Sequence, residues 1–234
     1  MTTQRLQSVD LLRGIAILLM VGYHFCYDLS YFGFAGFDFY DSPFWTSFRS
    51  LILSLFLGLV GVSLWLAQGR RLNWRKVFHR TALIAANAAL ISLATWRLFG
   101  DRFIWFGVLH FIVVASLLGL LFLRLYRLNL ALGLGLLALG QYSHPWFDQP
   151  AWRWLGMMTH KPPTEDYVPL VPWFGVVLLG LFAAQWLTRS GRLPARAEPA
   201  WMGRAGLLLL AGRHSLLIYM LHQPLLMGVL GLFK

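Results

Sequence analysis

The feature that most constrains this chain is its first apolar segment, residues 9–27, because it has the composition of a membrane span yet contains ionisable side chains. Asp10, Arg13 and His24 lie within it, and Asp28 follows its end. On a helix with about 100° per residue, these four side chains fall at about 0°, 300°, 320° and 0°, within a sector of about 60°. Charged groups in lipid are costly and usually face a bundle interior or a water-filled cavity. We therefore expect one face of this helix to line such an interior.

The positions along this segment predict two different environments. Arg13 and His24 are separated by about 16 Å on a helix axis, so they lie near opposite leaflets of a hydrocarbon core about 30 Å thick. His24 and Asp28 are spaced i, i+4, which lets the carboxylate hold one imidazole nitrogen and leaves the other as a general base. A structural hydrogen bond that closes the bundle is an equal alternative. Arg13, spaced i, i+3 from Asp10, fits either a topology-fixing pair or a phosphate contact.

Composition extends the membrane assignment to the whole chain. Of 234 residues, 58% are hydrophobic and 12% are charged, whereas about a quarter of a soluble domain is charged. We predict a single domain over residues 1–234 with an all-α fold, a polytopic membrane bundle of about seven transmembrane helices in contact with the lipid bilayer. The seven apolar segments lie at about residues 9–27, 45–67, 79–96, 103–123, 128–141, 170–188 and 213–233.

Loop charges predict the orientation of these segments. Residues 28–44 contain three aspartates and no Lys or Arg, whereas residues 68–78 contain four basic side chains, and basic loops recur at 124–127 and 189–204. The positive-inside rule then places the N-terminus in the cytoplasm and the C-terminus outside it. Because this rule accounts for the net charge of +11, we expect no nucleic-acid partner. The single cysteine, Cys26, excludes an intrachain disulfide.

Three stretches depart from a simple span. The fifth segment is short and rich in glycine, which predicts a close-packed helix or one that does not fully span. The loop at residues 142–169 combines tryptophans with prolines, a composition typical of an interfacial lid or cap. Residues 201–211 are predicted to form an interfacial helix on the cytoplasmic side, before a last span that begins after Gly212.

The last span carries a second polar stripe. Its members fall on one helical face, at about 0°, 40°, 340° and 80° for Ser215, Tyr219, His222 and Gln223. Arg213 begins the span, and Pro224 permits a kink beside His222 because proline removes a helical hydrogen bond. The stripe is compatible with a functional site or with a polar seam between helices.

A third group of candidate residues is predicted near the external surface. His110 begins the fourth segment, and Asp166 and Trp173 flank the start of the sixth, where they would line the mouth of a cavity above His24. The spacing of histidines and carboxylates does not form a recognisable metal site, so we expect no metal.

Four stretches, in this order, resemble the bacterial proteins that carry the heparan-alpha-glucosaminide N-acetyltransferase catalytic domain. They read SVDLLRGIAILLMVGYH, FGVLHF, DYVPLVPWFGVVLLG and GRHSLLIYMLHQP. Asp10, Arg13 and Gly14 followed by His24 also resemble the first helix of the acyltransferase-3 family. The resemblance implies an enzyme of the bacterial inner membrane that transfers acetyl from cytoplasmic acetyl-CoA to an extracytoplasmic sugar or glycan-type acceptor.

The resemblance also implies roles for the polar stripes. Arg13, Arg213 and Ser215 are expected near the CoA, and His24 as the general base oriented by Asp28. His222 and Tyr219 are expected to polarise the thioester or shape the site. Two alternatives remain open from the residues alone: a proton- or anion-coupled transporter that uses the same ionisable groups, and a noncatalytic membrane scaffold.

Overall fold

A computed structural model describes residues 6–69, 71–192 and 205–234, and the predicted all-α fold is confirmed across these ranges. Short 3₁₀ turns occur at Gly100–Arg102, Pro145–Asp148 and Arg153–Leu155. The α-helices are α1 (Gln7–Tyr31), α2 (Pro43–Gln68), α3 (Trp74–Phe99), α4 (Val108–Leu121), α5 (Tyr126–Leu139), α6 (Leu170–Arg189), α7 (Gly206–Arg213) and α8 (Ser215–Gly231).

Within the described ranges, four helical stretches are long and apolar enough to cross a membrane: α1, α2, α3 together with the turn that follows it, and α6. The helices α4, α5 and α8 are apolar but shorter. Most helix ends lie within four residues of the predicted segment ends. Two starts differ more: α4 begins later than predicted, at Val108, and α3 begins earlier, at Trp74, where the Asn73 side chain caps it by accepting from the Lys76 amide. Seven spans and the orientation of the termini stay predictions.

The described residues fall into two compact units. The first unit holds residues 6–59 and 205–234, and its core gathers apolar side chains of α1 with those of the following loop and α2. Ile17, Met20 and Tyr23 of α1 pack with Phe39 and Ile52, and side chains of α7 and α8 cover this cluster. These apolar residues of α1 recur at intervals of three, the period expected for one buried helical face.

Helix α7 crosses α1 at two glycines within this unit. A Cβ added to Gly14 would collide with the Leu208 carbonyl, and a Cβ added to Gly212 would collide with the Asp10 carbonyl. The two backbones therefore touch, which only glycine permits. The helix predicted over residues 201–211 is observed as Gly206–Arg213, followed directly by α8, and residues 201–204 lie outside the described ranges.

The second unit holds residues 60–69 and 71–192, and its most extensive helix contact joins α5 to α6. Gly133 and Gly175 face one another, and a Cβ added to Gly175 would lie 2.6 Å from the Gly133 carbonyl oxygen. This contact agrees with the first of the two alternatives predicted for the fifth segment, a close-packed helix. Whether this helix of 14 residues spans the membrane stays open to experiment.

A buried amide pair secures the turn between α4 and α5. Asn129 donates to the Phe122 carbonyl at 3.0 Å and to the Gln185 side-chain oxygen at 3.0 Å, and Gln185 donates to the Leu123 carbonyl at 2.7 Å. Both amides are at most 1% exposed. They satisfy carbonyl groups that the end of α4 leaves without helical partners, so α6 is fixed to that turn by hydrogen bonds as well as by packing.

The glycine contact between α5 and α6 gives a direct test. We expect Gly175→Ala to lower the free energy of unfolding by about 1–3 kcal/mol, because the methyl group would overpack against backbone. The matched control is Gly135→Ala on α5, where an added Cβ has no atom within 4 Å. There, the better helix propensity of alanine predicts no loss of stability. Denaturant unfolding in detergent measures both variants, and equal stability of the two would contradict the observed contact.

Candidate functional site

Two histidines of the first unit lie face to edge. The imidazole of His24 on α1 and that of His222 on α8 have ring centroids 4.8 Å apart and an interplanar angle of 62°. His24 Nδ1 lies 3.0 Å from the Met20 carbonyl oxygen, and His222 Nδ1 lies 2.7 Å from that of Tyr219. Because a carbonyl oxygen only accepts, each Nδ1 carries the hydrogen and donates it. Each neutral ring is thus left with a lone pair on Nε2.

The Nε2 atoms are the reactive positions of this histidine pair. His222 is 9% exposed, and its Nε2 has no hydrogen-bond partner among the described residues. His24 is half-buried. A neutral imidazole with a free Nε2 accepts a proton, which is the requirement for a general base. The structure thus brings together two of the residues predicted to be catalytic, one from each polar stripe.

Asp28 lies on the same helix as His24 but pairs with a different residue from the predicted one. Its Oδ1 accepts a 2.7 Å hydrogen bond from Gln223 Nε2 on α8, and Asp28 is 0% exposed. The predicted hydrogen bond from His24 to Asp28 is therefore wrong for this structure. The physical reason is that a carbonyl one turn earlier, that of Met20, already accepts from His24 Nδ1, while α8 brings an amide donor to the carboxylate.

Gln223 is a site residue whose partner the sequence analysis missed. The polar stripe of the last span includes Gln223, but the stripe gives no information about which α1 side chain it meets. In the structure it fixes α8 against α1 one residue beyond His222. Asp28 Oδ2 and Gln223 Oε1 have no hydrogen-bond partner within the described ranges. Both are buried acceptor atoms, so the Asp28–Gln223 pair can accept further hydrogen bonds.

An ionic cluster lies nearer the start of α1 than the histidine pair does. Asp10 is 1% exposed; its Oδ1 accepts from Arg13 Nη1 at 3.0 Å, and its Oδ2 lies 3.7 Å from Arg213 Nε. The structure thus places both predicted CoA-binding arginines against one carboxylate. Ser215, the third such residue, begins α8 two positions after Arg213. Tyr219 lies one turn further along and packs against the core of the unit.

His110, in the second unit, is held by hydrogen bonds at both ring nitrogens. Its Nδ1 accepts from the Gly107 amide at 3.3 Å, and its Nε2 donates to Ser92 Oγ at 3.0 Å. Ser92 in turn donates to the Ile104 carbonyl at 2.6 Å. Because the serine hydrogen is used by that carbonyl, His110 does not act as a base toward Ser92. This network secures the loop before α4.

Asp166 caps the start of α4, since its Oδ2 accepts from the Val108 amide at 2.8 Å. The neighbouring Tyr167 donates to the Arg153 carbonyl at 2.6 Å, and burial raises the pKa of its phenol to about 12, so it stays protonated at neutral pH. Trp173 lies half-buried in the first turn of α6. The structure thus brings His110 and Asp166 to the same end of α4, and their expected role toward an acceptor stays a prediction.

The loop predicted to be a lid forms an open cavity of about 270 Å³ between the end of α5 and the start of α6. Its wall includes Tyr142, Lys161 and Tyr167. The role of this loop as a lid stays a prediction. No group of three or more metal-ligating side chains occurs in the parts of the chain that the structure describes.

Comparison with known protein families shows a match over nearly the whole chain. The profile described as "Heparan-alpha-glucosaminide N-acetyltransferase, catalytic" matches residues 5–224, which covers both polar stripes and the loops between them. No curated protein and no solved structure shows significant similarity to the chain.

The hydrogen bond between Gln223 and Asp28 predicts a specific pattern of stabilities. We expect Gln223→Leu to lower the free energy of unfolding by about 1–3 kcal/mol, because it leaves a buried carboxylate without its donor. The double variant Asp28→Leu/Gln223→Leu should lose less than this single variant, since it removes both polar partners. Thermal unfolding in detergent measures the series.

The control for this series is Gln141→Leu, which changes an exposed glutamine after α5 and should leave the unfolding midpoint unchanged. A double variant that is less stable than Gln223→Leu would contradict the proposed coupling between the two side chains.

Proposed function

Because the chain belongs to the heparan-alpha-glucosaminide N-acetyltransferase catalytic family, we propose that it is an acetyl-CoA-dependent acyltransferase of the bacterial inner membrane. It transfers acetyl from cytoplasmic acetyl-CoA to a sugar or glycan-type acceptor on the other side of the membrane. The observation that carries the proposal is the histidine pair of α1 and α8, with rings 4.8 Å apart and a lone pair on each Nε2. An acyl transfer needs such a base to activate its nucleophile.

The arginines supply the electrostatics for the donor. Arg13 and Arg213 share Asp10, so two guanidinium groups face one carboxylate and the cluster keeps a net positive charge. Guanidinium groups bind phosphate through paired N–H donors, and CoA carries several phosphate groups. Ser215 adds a hydroxyl close to Arg213. In this proposal the cluster anchors CoA at the cytoplasmic end of α1.

His24 carries out the proton transfer in the proposed reaction. Its Nε2 takes the proton of the acceptor hydroxyl or amine while the acceptor atom forms a bond to the thioester carbonyl carbon. The carbon–sulfur bond then breaks, and the departing CoA thiolate takes the proton back from His24, so that free CoA and the acetylated acceptor leave. The hydrogen bond to Met20 holds the imidazole in the tautomer that this step needs.

The side chains near His24 have further roles in the proposed reaction. His222 also has an acceptor at Nε2 in its neutral form, so it polarises the thioester carbonyl only after it has taken a proton. Tyr219 fixes His222 through its backbone carbonyl. Asp28 acts through Gln223, which secures α8 against α1, instead of orienting His24 directly. His110, Asp166 and Trp173 are proposed to serve the acceptor side.

Transfer of labelled acetyl from acetyl-CoA by the purified protein tests the function. We expect His24→Ala to lower the rate of transfer by about 10²–10⁴-fold, the usual contribution of a general base. The matched control is His79→Ala, because His79 is exposed on α3 in the other unit and should leave the rate unchanged. Full turnover by His24→Ala would overturn the assignment of the base.

The same preparation separates the proposal from its rival. A proton- or anion-coupled transporter predicts pH-dependent flux in liposomes and no binding of CoA. Flux without acetyl transfer would overturn the enzyme proposal, and a protein with neither activity would favour the membrane scaffold.

A further inference from the structure

We infer that Asp10 is a positioning residue that joins Arg13 and Arg213 into one binding site for a phosphate group of the acyl donor. The inference rests on the proposed function for the identity of the donor, but the geometry that carries it belongs to the first unit alone. Asp10 makes ion pairs with both arginines, through Oδ1 to Arg13 and through Oδ2 to Arg213. One carboxylate therefore sets the positions of two guanidinium groups that come from opposite ends of the chain.

The burial of Asp10 makes this arrangement specific. A carboxylate that is 1% exposed is costly unless it is paired, so both arginines are drawn to the same point. The backbone fixes that point as well. A Cβ at Gly212 would collide with the carbonyl of Asp10, so α7 ends in direct contact with the turn of α1 that carries the carboxylate. Arg213 follows immediately after this contact.

Arg213 keeps donors for a ligand in this arrangement. Arg213 approaches Asp10 through Nε, and its two Nη groups have no partner among the described residues. Its side chain is 46% exposed, whereas that of Asp10 is 2% exposed, so a ligand reaches the arginine and not the carboxylate. Two guanidinium charges against one carboxylate charge leave a net charge of +1. The fork of an anchored guanidinium fits two oxygens of a phosphate.

Holding Arg213 in advance also lowers the entropic cost of binding. A free arginine side chain loses rotamer entropy when it is fixed, and an arginine already paired at Nε has lost part of this entropy before the ligand arrives. Asp10 therefore strengthens phosphate binding although its own charge has the wrong sign for an anion.

The test compares two donors in the full-length protein. Acetyl-CoA has the nucleotide phosphates, and S-acetylpantetheine has the same thioester arm without them. We expect Asp10→Asn, which keeps the shape and removes the charge, to raise KM for acetyl-CoA by about 10-fold, because the guanidinium groups are then no longer held in place before the ligand binds. The value of kcat with acetyl-CoA and both constants with S-acetylpantetheine should stay within about two-fold of wild type.

The control variant is Glu165→Gln, which removes a carboxylate from its ion pair with Arg102 in the other unit. This variant should leave KM and kcat unchanged with both donors. An unchanged KM for acetyl-CoA in Asp10→Asn overturns the inference. An equal loss with both donors also overturns it, because that is the result of general structural damage. If Asp10→Asn does not fold, Arg213→Lys takes its place: it keeps the charge but loses the fork, and a KM for acetyl-CoA equal to that of wild type overturns the inference.

Another result would overturn the proposed function without deciding the role of Asp10. A wild-type protein that binds CoA but transfers no acetyl overturns the acyltransferase proposal. The dissociation constant for CoA then replaces KM as the test of the role of Asp10 in the same variants, and a value equal to that of wild type overturns the inference. A wild-type protein that does not bind CoA overturns both.

Discussion

The first unit depends on the crossing of α1 with α7 and α8, where backbones touch at Gly14 and Gly212 and two fully buried carboxylates face partners from the end of the chain. Asp10 pairs with Arg213 near one end of α1, and Asp28 accepts from Gln223 near the other. Both interactions cross from the first helix to the last two. Because an unpartnered carboxylate is expensive in apolar surroundings, each interaction favours the same register of the helices, and the histidine pair lies between these two levels.

Three polar levels lie along α1, at Asp10 and Arg13, at His24 and at Asp28, and they differ in charge. The lowest level is ionic and keeps a net positive charge, the middle level consists of two imidazoles, and the third is a neutral amide on a carboxylate. A donor with phosphates at one end and a reactive thioester at the other would meet the first two levels in that order. The order follows from the sequence of α1 itself, since Arg13 precedes His24 by about 16 Å of helix. The proposed direction of transfer therefore rests on the spacing of side chains along one helix.

The sequence was sufficient to predict the helical class, the apolar segments and the close packing of α5, because these depend on composition and on glycine positions within one segment. The partners of the buried polar groups could not be predicted in the same way. Asp28 meets Gln223 across 195 positions of the chain, and no periodicity within α1 carries that information. The Asn129–Gln185 pair was missed for the same reason, since a lone amide in an apolar segment does not reveal which carbonyls it satisfies. Helical spacing identifies which side chains share a face, and only the packing decides which of them bond.

The corrected partner of His24 has a chemical consequence. A carboxylate on Nδ1 would stabilise the imidazolium form by charge, whereas the carbonyl of Met20 only orients the ring. In the proposed reaction, a proton taken by His24 would therefore have no neighbouring carboxylate to retain it when the thiolate leaves. His222, with its rotamer fixed in the same way and its ring 4.8 Å away, offers a second neutral acceptor to the same proton. Two carbonyl-anchored imidazoles would thus suit the proposed reaction, which needs one proton transfer from the acceptor followed by one to the departing thiolate.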